Sequence, residues 1–197
     1  MKASAWISIV SAALTSAAVA APVTYKIDPD HTYPSFEADH MGISLWRGKI
    51  NASSGTLVLD KEAGTGTVEI NIDLASIDFG QDALNKWAVG PDFFDTAKYP
   101  KALYKGKLTG FGKDGKPNVT GELTLHGVTK PVDLKVNLFK CIEHPMFKRD
   151  YCGADALAVI QRDQFGLTAG KDYGFKMDVT LRIQVEALKA EDAKKAT

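Results

Sequence analysis

Four histidines, two cysteines and a strand-end arginine carry most of the chemistry this chain could offer. His31, His40, His126 and His144 are scattered, and no pair has the helical spacing that would set two metal ligands side by side. The sequence contains no G-x-S-x-G elbow, no H-E-x-x-H, no G-x-x-x-x-G-K-[ST] and no G-x-G-x-x-G ahead of a helix. Hydrolytic, zinc-protease and nucleotide-dependent chemistry therefore has no motif to rest on. His126 falls on the polar phase at a turn, which suits a solvated or turn-stabilising role. The enzyme alternative is His40 acting with a nearby carboxylate on a lipid.

The compartment bears on the cysteines. Lys2 is the single charge before an apolar, Ala/Ser-rich run from Ala5 to Val19, and Ala18-Val19-Ala20 has the small-x-small shape of a cleavage site. This predicts a signal peptide over residues 1–20, export beyond the cytoplasmic membrane and a mature chain beginning near Ala21. Cys141 and Cys152 are the only cysteines. A redox centre would use C-x-x-C, and a zinc site needs further ligands at matched spacing, although His144 lies between the two. An even pair in an exported chain reads as one disulfide around Ile142–Tyr151, contributing about 2–3 kcal/mol.

The 24 basic and 24 acidic side chains cancel. No charge imbalance draws the chain toward nucleic acid or an anionic membrane.

The elements that must position these groups are strands. Asn118–Phe139 alternates Val119, Gly121, Leu123 and Leu125 with polar residues, then Val132, Leu134, Val136 and Leu138 with Asp133, Lys135 and Asn137. Period-two alternation gives each strand one apolar and one wet face. The stretch predicts a hairpin turning at Gly127, with Pro131 opening the second arm. Similar alternation marks Thr24–Asp28, Tyr33–His40, Trp46–Ile50, Thr56–Asp60, Thr67–Leu74, Lys101–Phe111, Ala154–Asp163 and Phe175–Ala187. Gln81–Val89 alone has helical spacing. The expectation is an all-β domain over residues 21–190, with eight or nine antiparallel strands, one short helix and a charged tail from 191. A sheet wet on one face must bury the other, as a barrel or a two-sheet sandwich.

Small residues crowd the apolar phase of two strands: Ala102, Gly106 and Gly110 on one, Ala154, Ala156 and Ala158 on the other. A sparse interior suggests a lipid-sized cavity, unless bulky side chains from elsewhere fill the gaps. About ten buried ligand carbons at about 0.8 kcal/mol each give about 8 kcal/mol before association costs. The residues expected to meet such a ligand are Phe36, His40, Ala156, Ala158 and Arg162 on inner phases. Trp46, Leu84, Trp87 and Phe94 are expected at the helix and rim. Arg162, as an inward charge, needs a carboxylate or a ligand oxygen.

Several strings resemble the YceI-like family: Tyr25-x-Ile27-Asp28-x-x-His31, Phe36, His40-Met41-Gly42, Asp92-Phe93-Phe94-Asp95 with Lys98-Tyr99-Pro100, Gly121 through Pro131, and Arg162-x-x-Phe165-Gly166. The resemblance runs from about Thr24 to Ala187. It implies an extended lipocalin-like antiparallel barrel of about eight strands in the periplasm, often dimeric, enclosing a polyisoprenoid chain such as a quinone tail, or a related long amphiphile. It implies no catalytic activity and no cofactor beyond that lipid. A membrane redox partner such as a cytochrome is a third functional class. Three departures stand out. Ala169-Gly170-Lys171-Asp172-Tyr173-Gly174 replaces the family's usual approach to the last strand, Phe79-Gly80 follows Ser76-Ile77-Asp78 where a Thr is common, and Trp87 stands where smaller polar residues are frequent.

Overall fold

The computed structural model describes residues 21–111 and 115–191; the expected leader and residues 192–197 of the expected tail lie outside them. In chain order the elements are β1 (Val23–Ile27), β2 (Ser35–His40), β3 (Ser44–Ile50), β4 (Ser53–Asp60), β5 (Thr65–Asp73), β6 (Ile77–Asp78) and the helix α1 (Asp82–Ala88). Then come β7 (Lys101–Thr109), β8 (Asn118–Leu125), β9 (Val128–Pro131), β10 (Lys135–Glu143), β11 (Asp150–Gln161) and β12 (Asp178–Lys189). The sheet thus has 12 strands, not eight or nine. The excess includes β6 and β9, too short to announce themselves by alternation.

All pairings are antiparallel, and β12 organises them. One flank carries β11 from Gln161 to Tyr151. The other is shared by β2 at Val179–Arg182 and β1 at Ala187–Lys189. From β1 the sheet continues β4-β5-β7-β8-β9, and from β2 it continues β3-β6. The ladders do not run fully round. Between β8 and the approach to β10 there is one isolated bridge, Val119↔Leu134. Two backbone hydrogen bonds support it, from Val132 N–H to Gly121 (2.8 Å) and from Leu134 N–H to Val119 (3.0 Å). The result is a lipocalin-like barrel with one lightly fastened seam.

The predicted hairpin is corrected at two points. His126 (φ 51°) and Gly127 (φ 76°) make the turn, a left-handed pair suited to the twist of two strands. Yet Pro131 ends the short β9 at the sheet edge, where its missing N–H leaves no ladder position unfilled. The chain then bends through Val132–Leu134 to reach β11. Register shifts again between Val136 and Leu138, leaving Asn137 as an extra residue whose amide donates to Asp155 at 2.9 Å. That bulge turns Leu138 outward, 59% exposed, and packs Phe139 against the core.

Glycine and aromatic side chains pack as pairs. A Cβ on Gly48 would come 2.5 Å from Phe36, across the β2–β3 pairing. Gly106 and Gly121 both lie beneath the Tyr104 ring, whose hydroxyl donates to Val132 O at 3.1 Å. The space expected to stay open at Gly106 is therefore filled.

Helix α1 begins on the Gln81 side chain, which accepts from Leu84 N–H at 2.6 Å. Asn85 ties it to β6 by donating to Asp78 (3.1 Å) and accepting from Phe79 N–H (2.7 Å). Cys141 and Cys152 face each other across β10 and β11 and are disulfide-bonded.

Candidate functional site

The barrel encloses a cavity of about 490 Å³. On β12 every inner residue from Val179 through Leu181, Ile183 and Val185 to Ala187 lines it. On β11 the lining runs from Cys152 through Ala154, Ala156 and Ile160 to Arg162 just past the strand end. The ten steps between them at about 3.3 Å each make that about 33 Å. The cavity is thus elongated, a slot running beside β11 and β12. Its walls from β5, β7, β8 and β10 are mostly Val, Ile, Leu and Ala, with Tyr104 and Phe139 among them, largely a consequence of period-two alternation.

The two ends differ. At one end β10 and β11 are stapled by the disulfide, and polar side chains tie the barrel foot. Tyr25 donates to Asp150 (2.6 Å), which also bonds Lys61, and Tyr151 lies 2.6 Å from Glu186 and 2.7 Å from Asp28. Burial, reinforced by these carboxylates, pushes both phenol pKa values well above the ordinary 10.0.

The other end is an aromatic mouth. Trp46 stacks on His40 with centroids 4.1 Å apart, and Phe175 meets His40 edge-on at 5.0 Å. Phe79 lies between Phe36 (5.2 Å) and Trp46 (6.4 Å). Across the opening Trp87 stacks on Phe93 at 4.9 Å, and Phe93 meets Phe94 at 4.6 Å. Leu84 and Trp87 project from α1 into the lining, one helical turn apart.

Of the residues expected at the site, Phe36, Trp46, Leu84, Trp87, Phe94, Ala156 and Arg162 line the cavity. Ala158 and His40 do not. Ala158 packs in the buried core, and His40 stands behind Trp46. Arg162 is buried at 8% exposure, yet its partner is not a carboxylate. Its guanidinium donates to the carbonyls of Leu167 (2.7 Å) and Ala169 (2.6 Å) and lies 5.9 Å from the Phe93 ring centre. Burial pulls its pKa down, with the Asp163 charge opposing. The arginine thus fastens the loop that carries Ala169 and Gly170 onto the mouth.

Tyr104, Phe139 and Phe175 line the cavity without having been expected there. Tyr104 shares the inner phase of Ala102, so its place was readable. Phe139 depends on the Asn137 bulge, which alternation does not reveal. His126 supports rather than lines: it packs on Tyr99 at 4.4 Å, and its Nδ1 lies 3.2 Å from Phe165 O.

Barrel, slot and aromatic mouth together define a lipocalin-like fold built around an apolar cavity. The chain belongs to the YceI-like family, whose domain model matches residues 25–187. Protein YceI of Escherichia coli O6:H1 is 37% identical over 127 residues, covering 62% of this chain and 65%, just under two thirds, of that relative. Burkholderia cenocepacia BcnA superposes with a TM-score of 0.69 at 24% identity, covering 81% of this chain and 98% of that one. A polyisoprenoid-binding domain from Saccharophagus degradans, implicated in plant cell wall breakdown, superposes at 0.63 with 19% identity, covering 85% and 99%.

Proposed function

We propose that this protein is a periplasmic carrier that holds one isoprenoid lipid, of quinone or polyprenyl type, along the barrel axis. The observation that carries the reading is the shape of the cavity: about 490 Å³, apolar and extended along Cys152–Arg162. A compact ligand would leave such a slot partly empty, whereas a branched hydrocarbon chain fills it and removes its whole length from water. The aromatic mouth suits the wider head group. The polyisoprenoid-binding relative supports the ligand class. The leader-like N-terminus and the disulfide support the compartment.

The commitments of the polar side chains in and around the slot support the carrier role. Arg162 is bonded to two carbonyls, and the Tyr104 hydroxyl to a third. His40 is held between two aromatic rings, and among the described residues no carboxylate bonds it. These groups hold shape rather than attack a substrate.

Native mass spectrometry after incubation with a polyprenyl alcohol tests the reading. One adduct per chain is expected, lost in Ala156→Trp, which places an indole in the slot. An adduct that survives both Ala156→Trp and Ala154→Trp, in folded protein, would move the site elsewhere.

A further inference from the structure

The mouth carries more exposed apolar surface than a soluble rim needs. The β2–β3 turn runs directly from the His40–Trp46 stack, and its side chains point into solvent: Met41 is 54% exposed and Ile43 78%. Leu45 on the same hairpin is 50% exposed, and Tyr173, from the cavity-lining loop beside Phe175, is 79%. Met41 also sits at φ 58°, a left-handed conformation that glycine or asparagine adopts more readily. Strain and apolar exposure coincide at one residue, and such coincidences point to function. Tyr173 and Trp87 both line the opening.

The geometry points to a docking surface for a phospholipid bilayer: the Met41–Leu45 tip enters the membrane interface, with Trp46, Trp87 and Tyr173 around it at head-group depth. We commit to a bilayer because of where the tip lies. It borders the open end of an apolar slot, and a lipid leaving a membrane for that slot avoids water only if the opening meets the membrane. Trp and Tyr are the side chains favoured at that boundary, and aliphatic residues the ones inserted beyond it. Beside the tip Arg47 pairs with Glu37 (2.8 Å), and on the neighbouring loop Lys171 pairs with Asp163 (2.8 Å). Binding is therefore driven by apolar contact and depends weakly on salt. This inference rests on the carrier reading.

The test is flotation with phosphatidylcholine vesicles, at low and high salt, of protein recovered from the cell envelope. Its N-terminus is determined first, because an uncleaved apolar leader would itself bind vesicles. Wild-type protein is expected to float at both salt concentrations. Met41→Ser with Ile43→Ser should lower partitioning by about tenfold or more, with an unchanged thermal midpoint. Extractable lipid measured on the same preparations keeps the two ideas separate. Retained lipid with lost flotation supports docking. Failure of the wild type to float, or equal flotation of the variant, overturns docking whatever the lipid content. A concentration-dependent dimer abolished by the same substitutions would make the tip a self-contact and also overturn it.

Discussion

The Tyr104 ring lies where a side chain on Gly121 would stand. A Cβ there would approach Tyr104 Cζ to 2.6 Å and the Lys105 carbonyl to the same distance. The ring spans from β7 across β8, and its hydroxyl reaches Val132 O at 3.1 Å beside the barrel's seam. Backbone on one side and ring on the other leave Gly121→Ala nowhere to relax. We expect it to lower stability by about 2 kcal/mol. Tyr104→Phe, which strands only one carbonyl, should lose about 1 kcal/mol. Urea unfolding of both and of the double variant checks this; additive losses would mean the two residues do not act as a unit.

The disulfide should contribute about 2–3 kcal/mol, given the short loop it closes. Cys141 and Cys152 pair directly across two ladder-bonded strands, so Cys141→Ala with Cys152→Ala should keep the fold. The expected result is a lower urea midpoint with an unchanged far-UV spectrum. Loss of the β signal would show that the bridge is needed to form the barrel, not merely to stabilise it.

Acid should loosen the foot of the barrel. Burial raises the Asp28 and Asp150 pKa values. Hydrogen bonds from Tyr151 and His31 to Asp28, and from Lys61 and Tyr25 to Asp150, outweigh it and hold both below the ordinary 3.8. A depressed carboxyl contributes stability that is complete above its unfolded pKa and lost as pH falls through its folded one. His31 acts in the opposite sense. Asp28 raises it above 6.5, so its contribution is complete below that value and fades as pH rises through the folded pKa. Thermal midpoints should therefore plateau between about pH 4 and 6.5 and fall below pH 4. Asp150→Asn should flatten the acid limb; an unaltered limb would assign it to other carboxyls.

Arg162→Lys keeps the charge but loses the fork that reaches two carbonyls. One ammonium cannot replace donors to both Leu167 and Ala169, and about 1–2 kcal/mol should be lost. Limited proteolysis should then cut first within residues 166–174. An unchanged cleavage pattern would mean that the loop is held by its own turns.

Much of the wall was legible because alternation is a local signal. The inner phases of β5, β8, β11 and β12 follow from the sequence alone, and the disulfide partners from count and compartment. What was missed depends on partners distant in the chain. The Asn137 bulge moves Phe139 inward and Leu138 outward, and only pairing with β11 determines it. The space at Gly106 looked empty until Tyr104 was seen to lie over it. Arg162 looked like half of an ion pair, because nothing local reveals that a following loop returns two carbonyls to it. Ala158, on the same phase as Ala156, packs in the core rather than along the slot.

The central claim is that the slot holds an isoprenoid chain, and native purification followed by solvent extraction and mass spectrometry tests it most directly. The account predicts about one amphiphile per protein, with an isoprenoid fragmentation pattern and a length that fits the bore from Arg162 to Cys152. Protein that yields no stoichiometric amphiphile, with a crystal structure showing side chains filling the interior, would contradict it.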